Sequence, residues 1–140
     1  AKKKLLARHF KGMTREFLTQ KAQRFCFTIL PTIFNEDALA KLAFHRSKGH
    51  VVYVVSASLD LWLMPWLDSQ GLQGICTEAL WENDVFTGEF ATPNCNGPEK
   101  ARRIKAALDL NEYERVFAYG DSKGDREMMA IADKAFYKSF

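Results

Sequence analysis

Near the start of the chain, apolar side chains recur at the three- and four-residue intervals that are typical of a helix. One such pattern covers residues 3–13, and a second begins after Thr14, a residue type that often caps a helix N-terminus. The second helix should end before Pro31, because a proline disfavours helical geometry in the residue that precedes it. The sequence therefore predicts a small helical unit that needs another surface to pack against.

The centre of the chain predicts a strand that is buried on both faces. Asn35 is a suitable N-cap for a helix that ends near Lys48 and Gly49, and residues 51–55 then form a nearly continuous β-branched run. A strand without polar alternation is typical of a parallel sheet whose two faces are both covered. The elements expected after it are a helix over 60–71, a strand over 74–81, a strand over 85–90, a helix over 98–110, a strand over 116–120, a helix over 128–132 and a strand over 134–140.

This order of elements predicts the fold class. Strands that alternate with helices indicate an α/β fold, with a Rossmann-like parallel sheet and helices on both of its faces. The segments 74–81 and 85–90 add a small β-hairpin. Ligands of such sheets bind beyond the carboxyl ends of the strands, so polar residues at those ends are the first candidates for a site.

Positive charge is concentrated at the start of the chain. The 140 residues carry a formal net charge of +3, yet residues 1–24 contain eight basic side chains and one acidic side chain. Such a surplus could attract nucleic acid or an anionic membrane surface. No aromatic platform or recognised binding motif accompanies it, so a solvated helix face is the simpler interpretation and no specific nucleic-acid partner is expected. No apolar run approaches the ~18 residues that a membrane span needs.

The cysteines and histidines give little indication of a metal site. Cys26, Cys76 and Cys95 are widely spaced and lack the pairing of a zinc site or a disulfide framework, which predicts a reduced, cytoplasmic protein. The three histidines do not cluster along the chain, and each is expected to lie at the surface or in the core.

Two polar residues stand where the sheet predicts a phosphate site. Ser56 follows the strand over 51–55, and its hydroxyl with the nearby amides, including that of Ala57, could hold phosphate oxygens. Lys100 lies in the first turn of a helix, where a cation opposes the helix dipole unless an anion is near. The plainer alternatives are a helix-capping serine and a solvent-exposed lysine.

Two carboxylates follow the strand over 116–120. Asp121 and Asp125 are four residues apart, between the end of that strand and the start of a helix. Oxygen ligands suit Mg²⁺, which proteins often hold with one or two carboxylates together with phosphate and water. A simple turn with a capping aspartate is the alternative.

Together these features resemble the second, third and fourth motifs of the haloacid dehalogenase superfamily, in particular its phosphoserine-phosphatase-like branch. The resemblance rests on the segments 54–58, 96–104 and above all 117–129, which contains Gly120-Asp-Ser-Lys-Gly-Asp125. It implies a Mg²⁺-dependent phosphomonoester hydrolase with a small phosphorylated substrate. By position, the resemblance implies that Ser56, Ala57 and Lys100 contact the phosphoryl group, that Asp121 ligates Mg²⁺, and that Asp125 supports the metal shell and orients its neighbours.

One departure from the family pattern changes this expectation. The family attacks phosphorus with the first aspartate of an Asp-x-Asp motif and forms an aspartyl-phosphate, and the 140 residues contain no Asp-x-Asp. The resemblance therefore implies a partial helical cap over residues 1–34 and an α/β core over residues 35–140 that lacks its first, central strand. We expect a gap between the strands 51–55 and 116–119, inactivity of the chain alone, and completion of the sheet by strand donation or dimerisation. A non-catalytic binding or regulatory module of the same fold is the alternative.

Overall fold

Helices and strands alternate in the computed structural model, which describes residues 1–138. The last two residues of the predicted final strand, 139 and 140, lie outside the described residues. In chain order the elements are α1 (Lys2–Phe10), α2 (Arg15–Arg24), a π-helix (Phe25–Ile29), α3 (Leu30–Ile33), α4 (Glu36–Ser47), β1 (Tyr53–Leu59), α5 (Asp60–Ser69), β2 (Gln73–Thr77), β3 (Ala79–Glu82), β4 (Val85–Phe90), α6 (Pro98–Ala107), a 3₁₀ turn (Leu110–Glu112), β5 (Phe117–Gly120), a 3₁₀ turn (Lys123–Asp125), α7 (Arg126–Ala130) and β6 (Lys134–Tyr137).

The N-terminal helices differ from the prediction at Pro31. Thr14 does cap α2, since its hydroxyl accepts a hydrogen bond from the Phe17 amide at 3.2 Å. The predicted end before Pro31 is wrong, because the helix continues through the π-helix into α3. Pro31 lies in the first turn of α3, directly after the π-helix. The buried stripe of this unit runs at four-residue intervals through Leu18, Ala22, Cys26 and Leu30.

The strands form three two-stranded sheets within residues 1–138. β1 lies parallel to β2, β5 lies parallel to β6, and β3 and β4 form an antiparallel hairpin. The single strand expected over 74–81 is in fact two strands, because the chain turns at Glu78 between β2 and β3. The Asp60 carboxylate accepts the amide of Ala79 at 3.2 Å and the Ala91 amide bonds the Glu78 carbonyl, which fixes that turn.

β1 and β5 do not pair with each other in the part of the chain that the structure describes. Each has one hydrogen-bonded neighbour among the described residues, so its other edge carries no ladder. Although Tyr53–Val55 carry large side chains on both faces of β1, they are only half-buried. The core is accordingly divided into three clusters, built around Leu63 and Leu67, around Leu18 and Phe86, and around Ile75 and Cys95.

The described part of the chain contains no candidate membrane helix. Among residues 1–138, no helix combines the length and the apolar character needed to cross a bilayer. The three cysteines are buried and unpaired.

Candidate functional site

The sequence predicted that the strand ends before Ser56, but Ser56 lies inside β1. β1 runs on to Leu59, and its register with β2 shifts between Ser56 and Leu59. The Ser58 amide donates to the Ser56 hydroxyl at 3.1 Å, which stabilises this irregular segment. The prediction failed because a polar side chain that bonds its own backbone two residues on can replace a ladder contact without ending the strand.

Ala57 lies in the irregular segment and is held by two side chains. Its carbonyl accepts the Thr77 hydroxyl at 2.9 Å and the Lys2 ammonium at 2.5 Å. Thr77 also accepts the Cys95 amide at 2.9 Å and is fully buried. The end of β1, the end of β2 and the loop after β4 are therefore joined at one place.

Lys100 reaches this place from α6. Gly97, with φ +59°, and Pro98 begin the helix as the sequence predicts, and Lys100 follows in its first turn. Its ammonium lies 3.2 Å from the Val55 carbonyl and 2.6 Å from Oδ1 of Asp125. Lys100 is 7% and Asp125 is 5% exposed, so this ion pair is almost fully removed from water. The cation at a helix N-terminus is thus explained by a buried anion.

Asp125 uses both of its carboxylate oxygens within the protein. Oδ1 accepts Lys100, and Oδ2 accepts the Asp121 amide at 3.0 Å, the Ser122 amide at 3.1 Å and the Ser122 hydroxyl at 3.1 Å. Burial alone would raise the pKa of Asp125, but Lys100 and the two amides outweigh burial and hold the pKa below its ordinary value. Asp125 therefore remains ionised and fixes both Lys100 and the loop after β5.

Asp121 presents its carboxylate to solvent. Its side chain is exposed and makes no hydrogen bond or ion pair within residues 1–138, whereas its amide is fixed by Asp125. No cluster of three or more His, Cys, Asp or Glu side chains in the described chain could hold a metal ion. The residues present fit a Mg²⁺ site that takes one carboxylate from Asp121 and its remaining oxygens from phosphate and water.

The comparison with known proteins identifies the family. Haloacid dehalogenase-like hydrolase is the family that matches, over residues 1–130. The chain belongs to this family. Protein CicA of Caulobacter vibrioides is 31% identical over 132 residues, which are 93% of this chain and 59% of CicA. The chain thus spans less than two thirds of that relative.

Solved structures have the same fold. A protein of unknown function from Bordetella pertussis Tohama I has a TM-score of 0.79 at 18% identity, over 95% of this chain and 60% of that one. A probable phosphoserine phosphatase from Vibrio cholerae has a TM-score of 0.68 at 17% identity, over 91% of this chain and 38% of that one. The predicted α/β, Rossmann-like fold is confirmed.

In this haloacid dehalogenase-like chain, the residues predicted for the site converge in part. Lys100 bonds the carbonyl of Val55, the residue before Ser56, and Asp125 bonds the backbone of Asp121. The Ser56 side chain bonds only its own segment, and the Asp121 carboxylate stands apart in solvent. The structure therefore brings together the backbone at Ser56, the Lys100 ammonium and the Asp121 loop.

Three residues around Ala57 were not among the predicted site residues. Thr77 and Asn94 lie beside Ala57, since the Thr77 hydroxyl is 3.3 Å from Oδ1 of Asn94 and Lys2 bonds both Asn94 and Ala57. The rule that sites lie at the carboxyl ends of strands could have found Thr77, which ends β2. Lys2 carried no such signal, because its position depends on how α1 packs over the hairpin.

The basic segment is partly neutralised by the hairpin. Lys3 pairs with Glu89, and Arg15 pairs with Asp84 while its guanidinium lies 4.5 Å from the centre of the Trp81 ring. Lys2 has no carboxylate partner within residues 1–138, and burial lowers its pKa. The charge near Ala57 is therefore positive and uncompensated.

His45 lies in the core and His50 at the surface, in line with the expectation, but the two rings contact each other although they are separated along the chain. Nδ1 of His45 lies 2.8 Å from Nδ1 of His50, and Nε2 of His45 lies 2.7 Å from the Tyr119 hydroxyl. His45 is buried at the end of α4, and burial, with smaller effects of His50 and Lys41, lowers its pKa. The sequence did not predict this contact, because His45 and His50 lie on either side of a helix end. The turn at Gly49 brings His50 back beside His45.

Proposed function

We propose that the chain binds the phosphoryl group of a small phosphomonoester, as the phosphate-binding portion of a Mg²⁺-dependent hydrolase. The observation that carries this proposal is the buried Lys100 ammonium, held between Asp125 and the backbone that precedes Ser56. Phosphoryl transfer depends mainly on positioning and on neutralising the charge of the transferred group. A lysine whose direction is fixed by a buried carboxylate suits both requirements.

Each predicted site residue has a place in this proposal. The Ser56 hydroxyl and the Ala57 amide would donate to phosphoryl oxygens, and Lys100 would neutralise their charge. The Asp121 carboxylate would hold Mg²⁺, which supplies further charge neutralisation when it is bound. Asp125 would act as a positioning residue, because its oxygens already bond Lys100, Asp121 and Ser122.

We further propose that the nucleophile is brought by a strand that enters between β1 and β5. Each of the two strands has one edge without a ladder in the described chain, and the sequence contains no Asp-x-Asp motif. A donated strand, from another segment or another copy of the chain, would pair with both edges. Residues 1–34 would then cover the site as part of a cap, and residues 35–140 would form the core. Alone, the chain would bind but not turn over substrate.

A non-catalytic binding or regulatory module is the second candidate. Its supporting observation is the saturation of Asp125 by internal hydrogen bonds, which gives a stable, preorganised site without a nucleophile. The two candidates share phosphate binding and differ in whether a supplied strand restores hydrolysis.

Phosphate binding is tested by amide NMR with inorganic phosphate, with and without Mg²⁺. We expect saturable shifts at residues 55–58, at Lys100 and over 120–125, and weaker binding in Lys100→Ala. Lys105→Ala, an exposed lysine on the same helix, is the matched control and should bind as the parent does. Shifts scattered over the basic N-terminal segment, with none at these positions, would overturn the proposal.

Hydrolysis is tested with p-nitrophenyl phosphate and Mg²⁺. The chain alone should release no phosphate. Release above the level of a Lys100→Ala preparation would show that the proposed dependence on an external nucleophile is wrong. Addition of an apolar peptide with a central Asp-x-Asp separates the two candidates, because only the hydrolase should then gain turnover.

A further inference from the structure

Two histidine rings, which have no role in the phosphate binding proposed above, contact each other next to β5. His45 belongs to the last turn of α4, and His50 follows the turn at Gly49, where φ is +74°. The His50 amide donates to the His45 carbonyl at 3.1 Å, so the chain folds back on itself. This places the two Nδ1 atoms 2.8 Å apart.

Both rings are oriented by contacts from β5. The Tyr119 hydroxyl lies 2.7 Å from Nε2 of His45 and fixes the direction of its Nδ1. The Phe117 ring lies nearly parallel to that of His50, at 12° with 6.2 Å between ring centres. His45 is 8% exposed, whereas His50 is exposed to solvent. The pair is therefore preorganised and open on one side.

Two Nδ1 atoms at this distance can share a single proton, because only one of them can donate. A divalent cation can take that position, since it accepts both lone pairs at once. Metal–nitrogen distances of about 2.0–2.1 Å require the two nitrogens of a tetrahedral site to lie roughly 3.3 Å apart. The rings need to separate by only about half an ångström from their 2.8 Å contact to reach that spacing.

We propose that His45 and His50 form a binding site for one borderline divalent cation such as Zn²⁺. Imidazole nitrogen is a preferred ligand of such ions, and a ligating histidine commonly bonds a second group through its other nitrogen, as His45 bonds Tyr119. Water or a further ligand would complete the coordination from the exposed side of His50. The last carbonyls of α4 favour a cation there, whereas Lys41 opposes it. The site does not depend on the function proposed above.

Binding is measured by calorimetric titration with Zn²⁺ and by the imidazole C–H signals in NMR. We expect one equivalent to bind and the signals of His45 and His50 to shift together. His50→Gln should weaken the affinity at least tenfold, and this exposed substitution should leave the fold intact by circular dichroism. His9→Gln, the third histidine, is the control and should bind like the parent. Equal affinity of His50→Gln and the parent, or no saturable binding, overturns the proposal.

A second variant tests the role of Tyr119 as a positioning residue. Tyr119→Phe should weaken Zn²⁺ binding several-fold, while circular dichroism in metal-free buffer shows that the variant remains folded. The buried cysteines compete poorly, because burial raises their pKa, that of Cys76 to about 12. The titration is repeated with Ni²⁺, an ion for which imidazole is a suitable ligand. Equal dependence of Zn²⁺ and Ni²⁺ binding on His50 supports the histidine pair. Binding of Zn²⁺ that only a cysteine variant removes would overturn it.

Discussion

Lys100 and Asp125 link β1 to the loop after β5 through one buried ion pair. The ammonium of Lys100 lies 2.6 Å from Oδ1 of Asp125 and 3.2 Å from the carbonyl of Val55, so it contacts β1 on one side and the loop after β5 on the other. β1 and β5 share no ladder in the described chain, and the side chains carry the connection instead. The same pair thus fixes the candidate site and supports the fold around it.

Loss of the carboxylate charge should be costly. Asp125→Asn leaves the buried Lys100 ammonium without a counterion, and breaking a buried pair in this way costs about 3 kcal/mol or more. Urea unfolding measures the loss. Replacing Lys100 by Met in the Asp125→Asn background removes the uncompensated charge and should recover part of the stability. No recovery in the double variant would mean that Lys100 does not depend on Asp125.

The same pair predicts sensitivity to strong acid. The pKa of Asp125 is lower in the folded chain than in the unfolded chain, where it is about 3.9. Asp125 therefore contributes stability above that unfolded pKa, and the contribution is lost as the pH falls through the lower folded pKa. Unfolding midpoints measured below about pH 4 should therefore drop in the parent and change less in Asp125→Asn. A parallel decline in both proteins would contradict this assignment.

Gly120 should tolerate alanine less well than Gly124. A Cβ at Gly120 would lie 2.6 Å from Cβ of Asp125, which is held by hydrogen bonds and cannot move away. A Cβ at Gly124 would lie 1.8 Å from Oδ1 of Asn96, the end of an exposed side chain that can rotate. Gly120→Ala should cost about 1–3 kcal/mol and Gly124→Ala less. Thermal unfolding of both variants decides, and the reverse order would show that Asn96 is the more rigid neighbour.

Removal of the Thr77 hydroxyl should loosen the site. Thr77→Val keeps the shape but leaves the buried Cys95 amide without an acceptor, at a cost of about 1–3 kcal/mol. Phosphate binding should weaken as well, since Thr77 ties Ala57 to the loop after β4. Thr87→Val, whose hydroxyl bonds the Leu80 carbonyl on the exposed hairpin, is the control and should change neither property. If Thr77→Val matched Thr87→Val in stability and in phosphate affinity, the proposed role of the Thr77 hydroxyl in holding Ala57 would be wrong.

Acidification should also act through His45. Burial, His50 and Lys41 lower its pKa, so the unfolded chain binds a proton more readily. Stability is therefore complete above the unfolded pKa of about 6.5 and falls as the pH drops from there toward the lower folded value. His45→Gln should lose less stability than the parent between pH 7 and 5, in buffer with a chelator. His9→Gln should follow the parent, and a flat parent profile would exclude this dependence.

Local signals in the sequence predicted the starts of several helices. The side-chain Oδ1 of Asn35 accepts the amides of Asp37 and Ala38, and Pro98 opens α6 at the expected position. These features depend on a few neighbouring residues, so one sequence contains them. The failures at Pro31 and Ser56 have a different origin, because a π-helix and a register shift depend on which surfaces the segment packs against.

The composition of the candidate site was predictable, and its geometry was not. The motif around Asp121 and Asp125 indicated a phosphate and metal site, and the resemblance implied a metal ligand at Asp121 and a supporting residue at Asp125. In the structure their environments differ, because both carboxylate oxygens of Asp125 accept internal hydrogen bonds whereas the Asp121 side chain is exposed. Contacts such as that between Lys100 and Asp125 span 25 residues and follow only from the folded chain.

The division of the strands into separate pairs has a consequence for how the chain opens. Because β5, β6 and α7 join the rest of the chain through side chains and the Gly97–Gly124 backbone contact, they can detach without disrupting the β1–β2 ladder. Such a unit behaves as a foldon with its own opening free energy. Amide hydrogen exchange should then be faster across Phe117–Gly120 than across Ile75–Thr77, and the slowest amides should mark the part of the protein that persists while the site transiently comes apart.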